Sequence, residues 1–200
     1  MLKIGVLGGT FDPVHSGHMV IAEVARRELG LSRVIFVTAG EPWLKGHGNI
    51  APGEYRLAMT ELAIAENPSF SATSIDLDRP GPSYTVDTLN DLKCELGADA
   101  ELHFILGLDA LAGFSEWREP ERIVAICRLV AARRPGCLDI DLKQLERDLP
   151  GISKHITILN NPLSDISSST IRERVASGLT ITGLVPAAVE RYIMEKGLYK

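Results

Sequence analysis

The sequence lacks the features that define several protein classes. It has three cysteines (Cys94, Cys127 and Cys137), an odd number without CxxC spacing, so neither a disulfide framework nor a zinc site is indicated, and reduced thiols are expected. No apolar run is long enough to span a bilayer. No basic segment precedes an apolar one at the N-terminus, as a signal peptide would require. We therefore expect a cytoplasmic protein with no membrane partner.

The chain also lacks an excess of positive charge. Its formal net charge is −5, with 24% charged residues, whereas a general nucleic-acid binder carries a basic surface, so we expect no nucleic-acid partner. The hydrophobic fraction of 45% over 200 residues is typical of a soluble protein with a substantial core. We predict a single domain over residues 1–200. These numbers leave the oligomeric state open, a homo-oligomer included.

Strand-like and helix-like segments alternate along the chain. Apolar, β-branched runs predict strands at 2–7, 33–38, 70–75, 101–106, 128–132 and 156–159. Amphipathic or capped runs predict helices at 16–29, 54–66, 85–96, 119–127, 167–176 and 186–196. The irregular stretch 39–53 is long for a connection and indicates a functional loop or lid. The alternation predicts an α/β fold: a Rossmann-like, doubly wound parallel sheet with helices on both faces and a C-terminal helical segment.

The most informative motif follows the first predicted strand and reads GGTFDPVHSGH, residues 8–18. Glycine lets backbone approach a phosphate closely because it has no Cβ. A helix starting near Ser16 would direct unpaired N–H groups at an anion, and His15 and His18 lie one turn apart at that start. The motif predicts a nucleotide-phosphate site, and the alternative is a tight turn with two surface histidines. It has neither the GxGxxG spacing nor a Walker A lysine.

A second motif near the C-terminus reads ISSSTIR, residues 166–172. Its serines suit the N-cap of a helix, which is one complete interpretation. Hydroxyls and helix-end amides, with Arg172 near the same start, also form an anion site, because a guanidinium binds phosphate oxygens in bidentate fashion. Two phosphate-type sites in one chain indicate a long anion such as a triphosphate.

Together these motifs resemble those of the nucleotidyltransferases that carry HxGH and a C-terminal ISSTxIR-like motif. The chain is similar, more narrowly, to bacterial nicotinate-nucleotide adenylyltransferases. Further segments in the family's order carry this resemblance over essentially the whole chain: residues 81–89, 104–111, Trp117, 132–136 and 185–193. The resemblance implies transfer of the adenylyl group of ATP to nicotinate mononucleotide, which gives deamido-NAD and pyrophosphate in NAD biosynthesis.

The resemblance implies two groups of site residues. The ATP-binding group would be Gly8, Gly9, Thr10, Phe11, His15, His18, Gly107, Asp109, Ser168, Ser169 and Arg172. Of these, His15, His18 and Arg172 would be catalytic. The mononucleotide would contact Lys45, Tyr84, Thr85, Trp117 and Arg134. Mg²⁺ would accompany ATP, held mainly by phosphate oxygens and water, with no metal ligands from the protein.

Several positions have a second interpretation. Asp109 also suits a helix N-cap, Trp117 a hydrophobic core, and Arg133 the position given to Arg134. Lys45 lies in a loop whose residue order departs from the family's proline-rich loop ending in His-Lys, so a solvated lysine is the alternative there.

Four other functions remain open at this point. One is a related adenylyltransferase that acts on nicotinamide mononucleotide. An adenylyltransferase acting on phosphopantetheine shares the first motif, although the segment around Tyr84 and Trp117 argues against it. A cytidylyltransferase would use CTP. A nucleotide-binding regulator would bind without catalysis, against which the intact His15, His18 and Arg172 count.

Overall fold

The computed structural model describes residues 2–42, 50–133, 141–160 and 164–200. Within these ranges the strands are β1 (Leu2–Gly9), β2 (Arg33–Thr38), β3 (Glu41–Pro42), β4 (Phe70–Thr73), β5 (Pro82–Ser83), β6 (Ala100–Gly107), β7 (Cys127–Ala132) and β8 (Ile156–Ile158). The helices are α1 (Ser16–Leu29), α2 (Gly53–Ile64), α3 (Thr85–Leu96), α4 (Leu108–Ala112), α5 (Pro120–Ile126), α6 (Leu142–Asp148), α7 (Ser168–Ala176) and α8 (Ala187–Lys196). None of these helices is long and apolar enough to cross a membrane.

Six strands form one parallel sheet in the order β4-β2-β1-β6-β7-β8. The chain winds outward from β1 to β4 and then returns to β6, which pairs with the other side of β1. This reversal is the topological switch point, and ligands of such sheets bind outside the carboxyl ends of the strands there. The short strands β3 and β5 pair separately. The predicted doubly wound parallel sheet is confirmed.

Two hydrophobic cores lie on opposite faces of the sheet, because successive side chains of a strand point to opposite faces. On β6, Leu102, Phe104 and Leu106 belong to one core, and Ile105 belongs to the other. The first core is completed by helix residues such as Leu89 of α3, Ile123 of α5 and Leu145 of α6. The second is completed by Ala22 of α1, Met59 of α2, Ile171 of α7 and Ile193 of α8. Helices therefore cover both faces, as predicted, and α8 is the C-terminal helical segment.

The predicted bounds hold best where local signals are strong. The helices at 16–29 and 85–96 and the strand at 33–38 have the predicted bounds. Helix α4 was not predicted. It follows β6 without an intervening loop, and its five residues are too few to show a helical period. Helix α6 was not predicted either, although Asp141 provides an N-cap signal: its carboxylate accepts hydrogen bonds from two backbone amides.

Two of the three cysteines lie within the described residues, and both are free thiols. Cys94 is exposed, whereas Cys127 is buried on β7. Burial raises the pKa of the Cys127 thiol to about 12, so this thiol stays protonated and unreactive at neutral pH. Cys137 lies outside the described residues.

Three helices begin at the carboxyl edge of the sheet. Helix α1 follows the carboxyl end of β1. Helix α3 ends just before β6 begins, so its antiparallel course places its start at the carboxyl edge. The start of α7 is held there by Ser168, whose Oγ donates to the Pro13 carbonyl at 2.9 Å. This edge therefore combines several helix N-termini, which favour anions.

Candidate active site

A cavity of about 250 Å³ opens at the carboxyl edge between β1 and β6. It is formed by the end of β1, the loop and helix start that follow it, the end of β6 and the start of α7. Nine of the eleven predicted ATP-binding residues line it: Gly8, Gly9, Thr10, Phe11, His15, His18, Gly107, Ser168 and Ser169. The two sequence motifs from opposite ends of the chain thus meet in one cavity at the switch point.

The loop after β1 is shaped by Phe11, which folds back across Gly9. A Cβ at Gly9 would lie 2.7 Å from the Phe11 ring, so only glycine fits there. Phe11 has a φ of +50° and is buried. Its ring meets the edge of His18, with a centroid distance of 5.0 Å and an interplanar angle of 89°. Phe11 therefore supports both the glycine loop and one of the histidines.

The two histidines form one packed unit at the start of α1. His15 is the N-cap, and the His18 amide donates to the backbone carbonyl of His15 at 2.9 Å. The His15 amide donates to Nδ1 of His18 at 3.2 Å, so Nε2 of His18 carries the ring proton and is a donor. The rings stack with centroids 3.7 Å apart. A Cβ at Gly17 would lie 3.0 Å from Nδ1 of His15, which explains the glycine of the HxGH motif.

The serines at the start of α7 make different contacts. Ser167 is the N-cap, and its Oγ accepts from the Thr170 amide at 3.1 Å. The N-cap interpretation is therefore correct for Ser167. All three serines line the cavity, and Ser168 also ties α7 to the loop after β1.

Arg172 does not line this cavity but contacts Ser169, which does. Its Nη1 donates to the backbone carbonyl of Asp12 at 2.7 Å and lies 3.7 Å from the Asp12 carboxylate. Its Nη2 lies 3.4 Å from Oγ of Ser169, which lines the cavity. Arg172 borders a second cavity of about 540 Å³, lined in part by the C-terminal residues 197–200. The guanidinium is thus anchored to the loop after β1 and adjoins the cavity through Ser169.

Among the described residues, the predicted mononucleotide contacts Tyr84, Thr85 and Trp117 do not line this cavity. Tyr84 is the N-cap of α3 and Thr85 its first residue. The preceding Ser83 accepts a hydrogen bond from the Gly40 amide at 2.9 Å, which anchors the start of α3 next to the carboxyl end of β2. This position is on the same edge of the sheet as the cavity between β1 and β6.

Trp117 and Arg118 approach the start of α3. The Arg118 guanidinium lies 4.4 Å from the centroid of the Tyr84 ring, a cation–π contact. Trp117 is half-buried and packs against Phe104 and Phe114, with ring centroids 6.1 and 5.3 Å away. The core interpretation of Trp117 is therefore correct for part of its surface. The structure brings Tyr84, Thr85 and Trp117 into one region.

The remaining predicted site residues are Asp109, Lys45 and Arg134, with Arg133 as the alternative to Arg134. Asp109 is exposed in the first turn of α4, whose N-cap is Gly107, so the N-cap interpretation of Asp109 is wrong. Asp109 does not line the cavity. Lys45 and Arg134 lie outside the described residues. Arg133 is exposed immediately after β7.

Arg56 holds the loops of this edge together, and no role was predicted for it from the sequence. Arg56 is only 3% exposed. It donates to four carbonyls: those of Thr10 (2.8 Å), Ala39 (2.7 Å), Gly40 (3.1 Å) and Ala51 (2.8 Å). Burial lowers the pKa of its guanidinium. In the sequence it resembles any arginine on an amphipathic helix, because its partners are carbonyls of distant loops.

Comparison with known proteins gives a consistent result. The Cytidylyltransferase-like family model matches residues 6–174. A probable nicotinate-nucleotide adenylyltransferase of Dehalococcoides mccartyi is 47% identical over 99% of this chain and 97% of its own length. One of Thermomicrobium roseum is 45% identical over 100% of this chain and 92% of its own. The solved Plasmodium falciparum nicotinic acid mononucleotide adenylyltransferase complexed with NaAD has a TM-score of 0.77 at 18% identity and covers 100% of this chain and 98% of that chain.

The Arg56 network predicts a large loss of stability on its removal. Arg56→Met leaves four carbonyls without their donor, and we expect the free energy of unfolding to fall by about 3 kcal/mol. Urea denaturation measures this change. Arg191→Met on the exposed face of α8 is the matched control, with an expected change within about 0.5 kcal/mol. Equal stability of the two variants would contradict the structural role of Arg56.

Proposed function

The chain belongs to the nicotinate-nucleotide adenylyltransferases of the Cytidylyltransferase-like family, and we propose from this membership that it transfers the adenylyl group of ATP to nicotinate mononucleotide. The products are deamido-NAD and pyrophosphate, and the reaction belongs to NAD biosynthesis. The structural observation that carries the proposal is the meeting of the glycine loop, both HxGH histidines and two serines of α7 in one cavity.

ATP lies along the glycine loop in this proposal, with its phosphates toward the starts of α1 and α7. The close approach of the phosphates is possible because Gly8 and Gly9 carry no side chain. Nε2 of His18, the hydroxyls of Ser168 and Ser169, and the Arg172 guanidinium supply donors from two sides of the cavity. Helix starts add N–H groups and a favourable dipole.

The mononucleotide reacts by direct attack. Its 5′-phosphate has a second pKa of about 6, so a phosphate oxygen is already anionic at neutral pH and needs no general base. That oxygen forms a bond to the α-phosphorus of ATP in line with the departing oxygen, whose bond breaks as pyrophosphate leaves with the electron pair. Catalysis then consists of positioning and of stabilising the negative charge that develops on pyrophosphate. His15, His18 and Arg172 are the proposed catalytic residues.

Mg²⁺ enters as part of the substrate in this proposal, bound to the triphosphate of ATP. Within residues 2–42, 50–133, 141–160 and 164–200, no group of three or more histidine, cysteine, aspartate or glutamate side chains is placed to hold a metal ion. Coordination by phosphate oxygens and water is therefore the arrangement that fits the described residues.

The start of α3 is the proposed site of the nicotinate carboxylate. Backbone amides at Tyr84 and Thr85 and the dipole of a twelve-residue helix favour an anion over a neutral carboxamide. Arg118, stacked on Tyr84, brings a guanidinium to the same place, where the Asp87 and Glu119 carboxylates lie 3.8 and 3.7 Å from it. Trp117 stacks on the pyridine ring in this proposal, and Lys45 and Arg134 remain its predicted contacts for the mononucleotide.

Four expectations from composition stay predictions. They are the single domain over residues 1–200, the cytoplasmic location, the absence of a nucleic-acid partner and the homo-oligomer that was left open.

Removal of the His18 imidazole tests the ATP half of the site. His18→Ala should lower turnover by about two orders of magnitude, because a donor to the developing charge is lost. It should cost only about 1 kcal/mol of stability for the lost capping contact. Pyrophosphate release measures the turnover. His155→Ala, in the turn before β8, is the control and should keep full activity; equal rates for the two variants would refute the role of His18.

Discrimination between acid and amide tests the mononucleotide half. We expect a higher kcat/KM for nicotinate mononucleotide than for nicotinamide mononucleotide, since the start of α3 and Arg118 favour a negative charge. Arg118→Gln should reduce this ratio by about tenfold, a loss of about 1.4 kcal/mol. Arg122→Gln, an exposed neighbour on α5, is the control and should leave the ratio unchanged. Equal kcat/KM values for the two mononucleotides in the unsubstituted protein would contradict this placement of the carboxylate.

A further inference from the structure

Asp12 lies between the two phosphate motifs and is almost completely buried, with 3% of its surface exposed. Its Oδ1 accepts hydrogen bonds from the Tyr199 hydroxyl at 2.7 Å and from the Ala51 amide at 3.2 Å. Its Oδ2 lies 3.7 Å from Nη1 of Arg172. A carboxylate taken out of water is stable only when its oxygens are bonded or paired. The orientation of Asp12 therefore depends on these three partners.

The C-terminal residues have a backbone built to deliver Tyr199 to this position. Helix α8 is followed by Gly197, whose φ is +62°, and the Leu198 amide donates back to the Ile193 carbonyl at 3.0 Å. These are the features of a Schellman turn, which reverses the chain after a helix. Tyr199 itself has a φ of +64°, a conformation that costs energy for any residue with a Cβ. The contacts of Tyr199 must offset that cost.

The Tyr199 hydroxyl acts as a permanent donor to Asp12. Burial is the largest cause of a raised pKa for this phenol, and the hydrogen bond to the Asp12 carboxylate raises the pKa further. The phenol therefore keeps its proton throughout the neutral and mildly alkaline range. Because the Tyr199 hydroxyl keeps its proton over this range, it holds Oδ1 of Asp12 on the side that faces the C-terminus.

Asp12 in turn sets the position of Arg172. The Arg172 guanidinium binds the backbone carbonyl of Asp12 through Nη1 at 2.7 Å, while Nη2 lies beside Ser169 at the cavity. Without the Tyr199 hydroxyl, Oδ1 loses its shorter hydrogen bond and the carboxylate turns toward the positive charge of Arg172. A closer Asp12–Arg172 pair would draw the guanidinium away from Ser169 and from an anion in the cavity.

We propose that Tyr199 is a positioning residue for ATP: its hydroxyl holds Asp12 so that the Arg172 guanidinium is directed at the phosphates. The inference rests on the proposed function, since it assigns the phosphates of ATP to the cavity next to Ser169. Tyr199 itself touches no substrate. It acts through Asp12 and Arg172.

Equilibrium binding of MgATP in the absence of the second substrate tests this inference. Tyr199→Phe keeps the ring and removes one hydrogen bond to a charged group, and we expect the Kd for MgATP to rise about tenfold. The Kd for nicotinate mononucleotide should change less than twofold. Tyr192→Phe is the matched control, because this tyrosine on α8 packs against Tyr55, and it should leave both constants unchanged. Isothermal titration calorimetry gives all six dissociation constants, two each for the unsubstituted protein and the two variants.

A double-mutant cycle separates positioning from a merely structural contribution. In an Arg172→Lys background, Tyr199→Phe should change the Kd for MgATP less than twofold, because the group that Tyr199 positions has been replaced. Gly197→Ala is a second variant that keeps the hydroxyl but strains the turn, since its φ is +62° and a Cβ would meet only the Lys200 amine, at 3.9 Å. Gly197→Ala should raise the Kd for MgATP, as Tyr199→Phe does.

The outcomes are distinct. A lower melting temperature of Tyr199→Phe with an unchanged Kd for MgATP would overturn the inference, and so would full additivity in the cycle. Binding of MgATP by the unsubstituted protein without turnover would contradict the proposed function alone. Normal turnover of the unsubstituted protein with unchanged MgATP binding in Tyr199→Phe would contradict this inference alone.

Discussion

Two buried charged side chains, Asp12 and Arg56, hold the loops at the carboxyl edge of the sheet, and the site depends on them. Both are 3% exposed. They bond the same peptide segment from two sides, because the Ala51 amide donates to Asp12 and the Ala51 carbonyl accepts from Arg56. Asp12 belongs to the loop after β1, and Arg56 donates to the Thr10 carbonyl of the same loop. Loops at a switch point leave many backbone groups without strand partners, and these two charges satisfy several of them at once.

This constraint explains how loop residues form the proposed anion site. The carbonyls near Thr10 and Gly40 are directed inward at Arg56, while helix starts and hydroxyls surround the cavity. Phe11 and the stacked histidines fill the space beneath the loop, and glycines occur where a Cβ would collide with them. The donors of the site are therefore in place before a phosphate arrives, so that little reorganisation energy is required on binding.

Local patterns in the sequence predicted the parts of the structure that depend on near neighbours. The α1 bounds, the helix start at the HxGH motif and the alternation that gives a parallel sheet are all encoded within about 15 residues. The Tyr199–Asp12 and Arg172–Asp12 hydrogen bonds join residues 187 and 160 positions apart, and no periodicity reports such pairs. Arg56 was missed for the same reason. The residue types of the two motifs already indicated one long anion, whereas the assignment of Ser168 and Ser169 individually to its binding came from the resemblance.

We propose above all that adenylyl transfer from ATP to nicotinate mononucleotide takes place at this edge of the sheet. The most direct measurement incubates the purified protein with MgATP and nicotinate mononucleotide and quantifies deamido-NAD and pyrophosphate together. We expect equal amounts of the two products, formed only when both substrates are present. We also expect far less turnover when CTP replaces ATP. Pyrophosphate release at the same rate with CTP, or ATP binding without any dinucleotide, would contradict this proposal.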